Sequence, residues 1–302
     1  MTEQLFSVPT AHIDDPNSVT ALLAALSAIH GDAYEFAVER WAGEEDVHPL
    51  PGRTIYRFLI ETRDAAIDLH PGEWVRGAAS EGHCVPVDGG LARVVTHHRV
   101  DLWPGDVVCV DGRDTRPAIL HGEGVYFEVI AESTGYRAPR VGLLRNLGSI
   151  PGGCAAYPGA FRRETLPPQR PDPDDPDRCG VNRVNEHTLD MRIDRDPPPI
   201  RHFHGPIPMG EGRLINHSET AIVLPRSVYG LPEVDKEDEG HVVIYRRPAE
   251  DATDTVTIPV RPGSIVVTPA TTETIMGHAF ENCFAMLVAI PGFVAPYNMI
   301  AE

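Results

Sequence analysis

Two hydrophobic rhythms run along the chain. Over residues 17–42 apolar positions recur at helical spacing: Val19, Leu22, Leu23, Leu26 and Ile29 follow Asn17-Ser18, a candidate N-cap, and Gly31 offers a C-terminal stop. Tyr34, Val38 and Trp41 extend that spacing as a second amphipathic segment. From Thr54 onward the pattern changes to short strands. Segments 54–60, 65–69, 91–96, 106–110 and 125–130 are rich in β-branched and aromatic residues, with Pro71-Gly72, Asp88-Gly89-Gly90, Pro104-Gly105 and Asp111-Gly112 as turns between them. A second series occupies 187–193, 200–204, 213–216, 220–224, 241–246, 255–260, 264–268 and 284–290. One β architecture used twice is the expectation.

Between the two series the chain is rich in Pro, Gly, Asp and Arg and poor in apolar residues, as in Pro171-Asp172-Pro173-Asp174-Asp175-Pro176-Asp177. The pattern therefore divides the chain into an N-terminal helical segment (1–50), a first β unit (51–148), a linker (149–184) and a second β unit (185–302).

Composition narrows the partners. The 302 residues include 44 Asp and Glu against 26 Lys and Arg, a formal charge of −18. Such a field repels phosphate backbones and anionic bilayers, so nucleic acid and membranes are poor partners and a small molecule is the expected one. No apolar run approaches the roughly 20 residues of a membrane span, and Met1-Thr2-Glu3-Gln4 lacks the basic and apolar regions of a signal peptide, which makes a cytoplasmic protein the default. Cys84, Cys109, Cys154, Cys179 and Cys283 are odd in number, scattered and never in a C-x-x-C pair, and read as reduced thiols. Lys236 is the one lysine among the basic residues, as a GC-rich bacterial coding bias would give.

The chemistry concentrates in Arg201-His202-Phe203-His204-Gly205-Pro206. Residues i and i+2 of a strand share a face, so His202 and His204 would offer two imidazoles to one cation while Phe203 faces away. Glu219 then opens an apolar strand, Pro262-Gly263 opens another that ends at Pro269, and His278 stands before Asn282. Here the chain resembles the cupin superfamily, whose first motif supplies H-x-H and a Glu and whose second has the form G-x5-P-x-G-x2-H-x3-N. Gly263, five residues and Pro269 fit its start; His278, three residues and Asn282 fit its end. Two spacings depart from the pattern. Eight residues separate Pro269 from His278, twice the usual number, with Thr271 where a second glycine is expected, and 14 separate His204 from Glu219, where a far shorter gap is usual. Longer loops between neighbouring strands absorb both. Glu211 is a rival carboxylate nearer to His204, but it lies between two glycines in a turn-like stretch.

The resemblance implies an all-β fold of two jelly-roll barrels behind the helical segment, with His202, His204, Glu219 and His278 holding one divalent transition metal. Three imidazoles and a carboxylate suit Fe(II), Mn, Ni, Cu or Zn. Fe(II) is favoured, in a cupin-type dioxygenase of small-molecule metabolism. The alternatives are a non-redox metal-dependent isomerase or lyase, and a bicupin that binds a ligand without catalysis. Arg213, Tyr229, Tyr245 and Asn282 lie near the motifs as candidate substrate-lining residues, and no catalytic side chain is singled out. The first unit resembles a cupin in outline only: Pro104-Gly105 to Asp111-Gly112 has the turn-strand-turn form, but His83 and His121 are isolated and His97 and His98 are adjacent, so this half is expected to be metal-free. The resemblance also implies a homodimer, since cupin edge strands often pair between subunits. No nucleophile elbow, Walker loop or dinucleotide-binding glycine pattern competes.

Overall fold

The computed structural model describes residues 6–77, 82–87, 90–133, 138–148, 150–151, 160–166, 183–189, 202–205, 207–208, 214–229, 240–247, 254–271, 274–281 and 283–290. The fold is all-β, two barrels with an N-terminal helix.

The two halves share a pairing scheme. In the first, Arg53–Leu69 and Ala118–Glu132 form a long antiparallel pair flanked by Tyr34–Ala42 and Val107–Asp111 in one layer, and by Glu45–Val47 and His98–Asp101 in the other. In the second, His217–Leu224 and Phe284–Ile290 pair between Arg183–Leu189 and Ser264–Ala270. Gly240–Arg247 and Ile275–Glu281 pair between Asp254–Val260 and His202–His204. The first half keeps each long strand continuous across both layers, where the second breaks it in two. The corner of the continuous pair is a bulge at Asp64, with φ 50°, opposite Gly122, where a Cβ would stand 2.3 Å from the Asp64 carbonyl oxygen.

Strand parity sorts the side chains. Along His217–Leu224, Ala221 and Val223 join Val242, Ile244, Met276, Phe280 and Leu287 inside the second barrel, while Ile222 and Leu224 face the first half. There they meet Phe58, Ile60 and Phe127, together with Leu22 and Leu26 of the helix. The helix thus fills the seam between the halves. It spans Pro16–His30, and Gly31 at φ 62° ends it as the sequence indicates. Its cap is Asp15, whose Oδ1 accepts from the Asn17 N–H at 3.1 Å with Pro16 in the first turn, not the Asn17-Ser18 pair.

Four expectations change. Residues 34–42 form a strand, not a helix: Tyr34, Phe36 and Val38 alternate with charged and small residues, Phe36 stacks on Phe127 at 6.3 Å, and Trp41 packs on Tyr126. Residues 54–60 and 65–69 are parts of one 17-residue strand. The stretch 149–184 contains the strands Ile150–Pro151 and Ala160–Glu164, which extend the second half's sheet through Arg183–Leu189, so it is not wholly a linker. Nor is 1–50 a separate helical prefix. Thr10–His12 pairs with Ser264–Ala270 in the second half's sheet, while Tyr34–Ala42 belongs to the first's. Among the described residues no helix is long and apolar enough to cross a membrane.

Candidate metal centre

Glu219 and His278, 59 positions apart in the sequence, meet inside the second barrel: Glu219 Oε1 lies 3.0 Å from His278 Nε2, and both residues are almost wholly buried. Their strands explain the meeting. Glu219 shares the interior face with Ala221 and Val223 and is in register with Thr268 and Ala289. His278 lies between Met276 and Phe280 on the inward row of Ile275–Glu281, a strand absent from the sequence expectation. Gly263, at φ 88° in the turn that launches Ser264–Ala270, would drive a Cβ to within 2.9 Å of Ile13; only glycine suits that turn.

The H-x-H segment is the edge strand beside His278. His202 pairs directly with His278, and His204 with Met276. Residues directly opposite in an antiparallel pair share a face, so His202, His204 and His278 occupy positions on the same face of this sheet. Among the residues whose side chains are described no group of three metal-binding groups assembles, since those of His202 and His204 fall outside that set.

The Glu219–His278 pair fits a cation. Two donors at right angles and about 2.1 Å from one ion stand about 3.0 Å apart. Burial pulls the His278 imidazole down to about 3, so at neutral pH it is uncharged, the form that ligates. Its other nitrogen, Nδ1, lies 3.2 Å from the Thr268 hydroxyl, itself buried. With Nδ1–H donating to that hydroxyl, the Nε2 lone pair points toward Glu219 and whatever the two share. Sequence reasoning missed Thr268. The signal was a hydroxyl at an inward position of the otherwise apolar run Ile265-Val266-Val267.

Elsewhere the candidate residues scatter. Tyr245 is buried, but it is in register with Gly277 and clusters with Val243 and Ile275, on the face opposite His278; it does not line the site. Tyr229 ends the short 3-10 turn Arg226–Tyr229, its side chain outside the described set. Arg213, Asn282 and the rival Glu211 lie outside the described residues. His217 is buried on the same strand face as Glu219, two residues before it. On the seam side, Ser218 lies 2.8 Å from His30 Nε2, and burial, with His217 nearby, pulls the His30 imidazole down to about 4.

No family model matches the chain, and no curated protein does. Among solved structures it is similar to oxalate decarboxylase, at 10% identity over 92% of this chain and 73% of that one, with a TM-score of 0.47. Salicylate 1,2-dioxygenase from Pseudoaminobacter salicylatoxidans follows at 9% identity, covering 93% and 72%, TM-score 0.40. Vicilin from Corylus avellana (hazelnut) is similar at 9% identity, covering 85% and 74%, TM-score 0.39. By its own strand pairing, the chain has the architecture the sequence led us to expect: two cupin-like barrels with a helix at the N-terminal side.

Proposed function

We propose that this is a metal-dependent enzyme of small-molecule metabolism, an Fe(II) oxygenase of the cupin type, in which His202, His204, Glu219 and His278 hold one divalent ion inside the second barrel. The observation that carries the reading is the 3.0 Å approach of Glu219 to His278 in that interior, with His202 across the strand pair from His278. Three neutral imidazoles and one carboxylate leave a divalent ion one net positive charge and open positions. Bound Fe(II) supplies redox chemistry and a place for dioxygen and substrate together.

The chain's own groups supply the surroundings. Val223, Val242, Ile244, Met276, Phe280 and Leu287 make a dry wall that strengthens electrostatic interactions within it. The Thr268 hydroxyl, 3.2 Å from Nδ1, holds the ring plane of His278. Glu219 supplies the negative charge that favours a cation over a neutral ligand.

Metal analysis of the purified protein tests the reading. Stoichiometric first-row metal is expected, and it is lost in His202→Ala, His204→Ala, Glu219→Ala and His278→Ala. Unchanged metal in the Glu219 and His278 variants would remove the proposed centre, and loss in Glu211→Ala but not Glu219→Ala would reassign the carboxylate. Oxygen uptake during turnover is expected; turnover without it would make the enzyme an isomerase or lyase.

A further inference from the structure

We propose that the first half carries a second, separate site: a pocket that binds a small carboxylate- or phosphate-bearing anion through Arg145. The pocket has a volume of 310 Å³, the size of a small-molecule site, and lies among the edge strand His98–Asp101, residues 103–106 and the 3-10 turn Leu144–Asn146.

Its walls are pinned by one buried carboxylate. Asp106 Oδ2 accepts from the Trp103 N–H at 2.8 Å, and Oδ1 accepts from the Leu144 N–H at 2.7 Å, joining two loops 38 residues apart. That fixes the backbone on both sides of the pocket. The Arg145 guanidinium then lies over the Trp103 ring, 3.4 Å from its centroid, and Trp103 itself is 42% exposed. A guanidinium held face-on by an indole keeps its N–H edge for a planar oxyanion. Among the described residues no carboxylate lies within ion-pair distance of Arg145.

Two of the other charges on the lining have partners. Arg99 is held by Asp68 at 2.8 and 3.3 Å, and Asp106 is committed to the two backbone donors. Asp101 is the exposed carboxylate that remains. His83 and His98 stack with ring centroids 4.7 Å apart, a flat imidazole surface and not a converging pair of metal ligands. The His98 Nδ1–H donates to the Thr96 carbonyl at 3.0 Å, which fixes the plane of that surface. In a chain of charge −18, a guanidinium with no direct ion pair, held over one aromatic surface and beside a second, selects a small anion with a flat body, although the Asp106 carboxylate is near enough to feel its charge.

Trp103 reports the test. Acetate, benzoate and inorganic phosphate are titrated separately into the full chain while tryptophan fluorescence is followed, with calorimetry as the second measure. Saturable binding of at least one probe is expected. Benzoate ahead of phosphate identifies a carboxylate site, and the reverse order a phosphate site. Arg145→Gln, a change at an exposed side chain, should weaken binding about tenfold or more, and Arg145→Lys should recover only part of it. Trp103→Phe should remove the fluorescence change while calorimetry still detects the ligand. Metal content should be the same in all these proteins, which separates this site from the metal centre. No saturation by any probe, or equal affinity in Arg145→Gln, overturns the proposal.

Discussion

Both barrels hold charged groups in their interiors, one step apart along the strand, and neutralise them differently. Counted from the turn glycines Gly105 and Gly263, Val110 corresponds to Thr268, and their strand partners are Ile55 and Glu219. The strand that carries His278 in the second barrel presents Ala118 and Leu120 in the first, and the place of His202–His204 is taken by Glu45–Val47. Where the second barrel has its carboxylate and imidazole, the first has an aliphatic core. Its interior charges lie one step along the strand: Arg57 bonds Glu128 at 2.7 Å, pairs with Glu45 and lies 4.1 Å from the Tyr126 ring centroid. An arginine built into the chain supplies the positive charge there. In the second barrel Glu219 lies against the neutral His278 imidazole, and under our reading the positive charge is that of a bound metal ion.

The largest expected effect separates the barrels by metal content. Glu219→Gln or His278→Ala should abolish metal loading, at least a hundredfold in affinity, whereas Leu120→Ala in the first barrel should leave metal content intact and cost about 2–5 kcal/mol of stability. Mass spectrometry of metal content and denaturant titration read the two outcomes. Next comes Arg57→Ala. Leaving Glu45 and Glu128 in the interior without their cation should cost about 3–5 kcal/mol, measured by denaturant unfolding, again with metal unchanged.

The seam between the barrels gives a pH prediction. The folded state keeps His30 neutral down to about 4, while the unfolded chain protonates near its ordinary value of 6.5. At this residue the unfolded state therefore binds more protons in between, so the His30 contribution to stability is complete above 6.5 and falls as pH drops toward 4, by up to about 3 kcal/mol, against the opposite contribution of Asp106, whose carboxyl burial raises to about 7. His30→Gln should flatten that decline in unfolding measurements made from pH 7 to pH 4. The smallest effect sharpens the metal site itself. Thr268→Val should weaken metal affinity about 10- to 100-fold, and Thr268→Ser should restore most of it.

Much of this was legible in the sequence, for local reasons. The helix announced itself through Leu22, Leu26 and Gly31, and strands such as Phe284–Ile290 through uninterrupted apolar runs. Strand parity put His202 and His204 on one face, and the resemblance to the cupin motifs named Glu219 and His278, which the structure brings to 3.0 Å of one another. The failures are tertiary. Tyr34, Val38 and Trp41 fit helical spacing, yet pairing with Ala118–Glu132 decides for a strand. Ile275–Glu281 is broken by Gly277 and carries His278 inward, so it lacks an apolar run, and only its neighbours Gly240–Arg247 and His202–His204 make it a strand. Tyr245 is near the motifs in sequence, but one step of parity sends it to the other side of the sheet.

The short strand Thr10–His12 closes against Ser264–Ala270, with Thr10 opposite Val266. Thr10–His12 is thus an edge of a sheet whose adjoining strand, Ser264–Ala270, lies far along the chain from it. During synthesis that segment waits for more than two hundred residues to emerge before the strand it pairs with exists. Such a pairing ties the edge of the second barrel's sheet to a segment that precedes the first barrel in the chain.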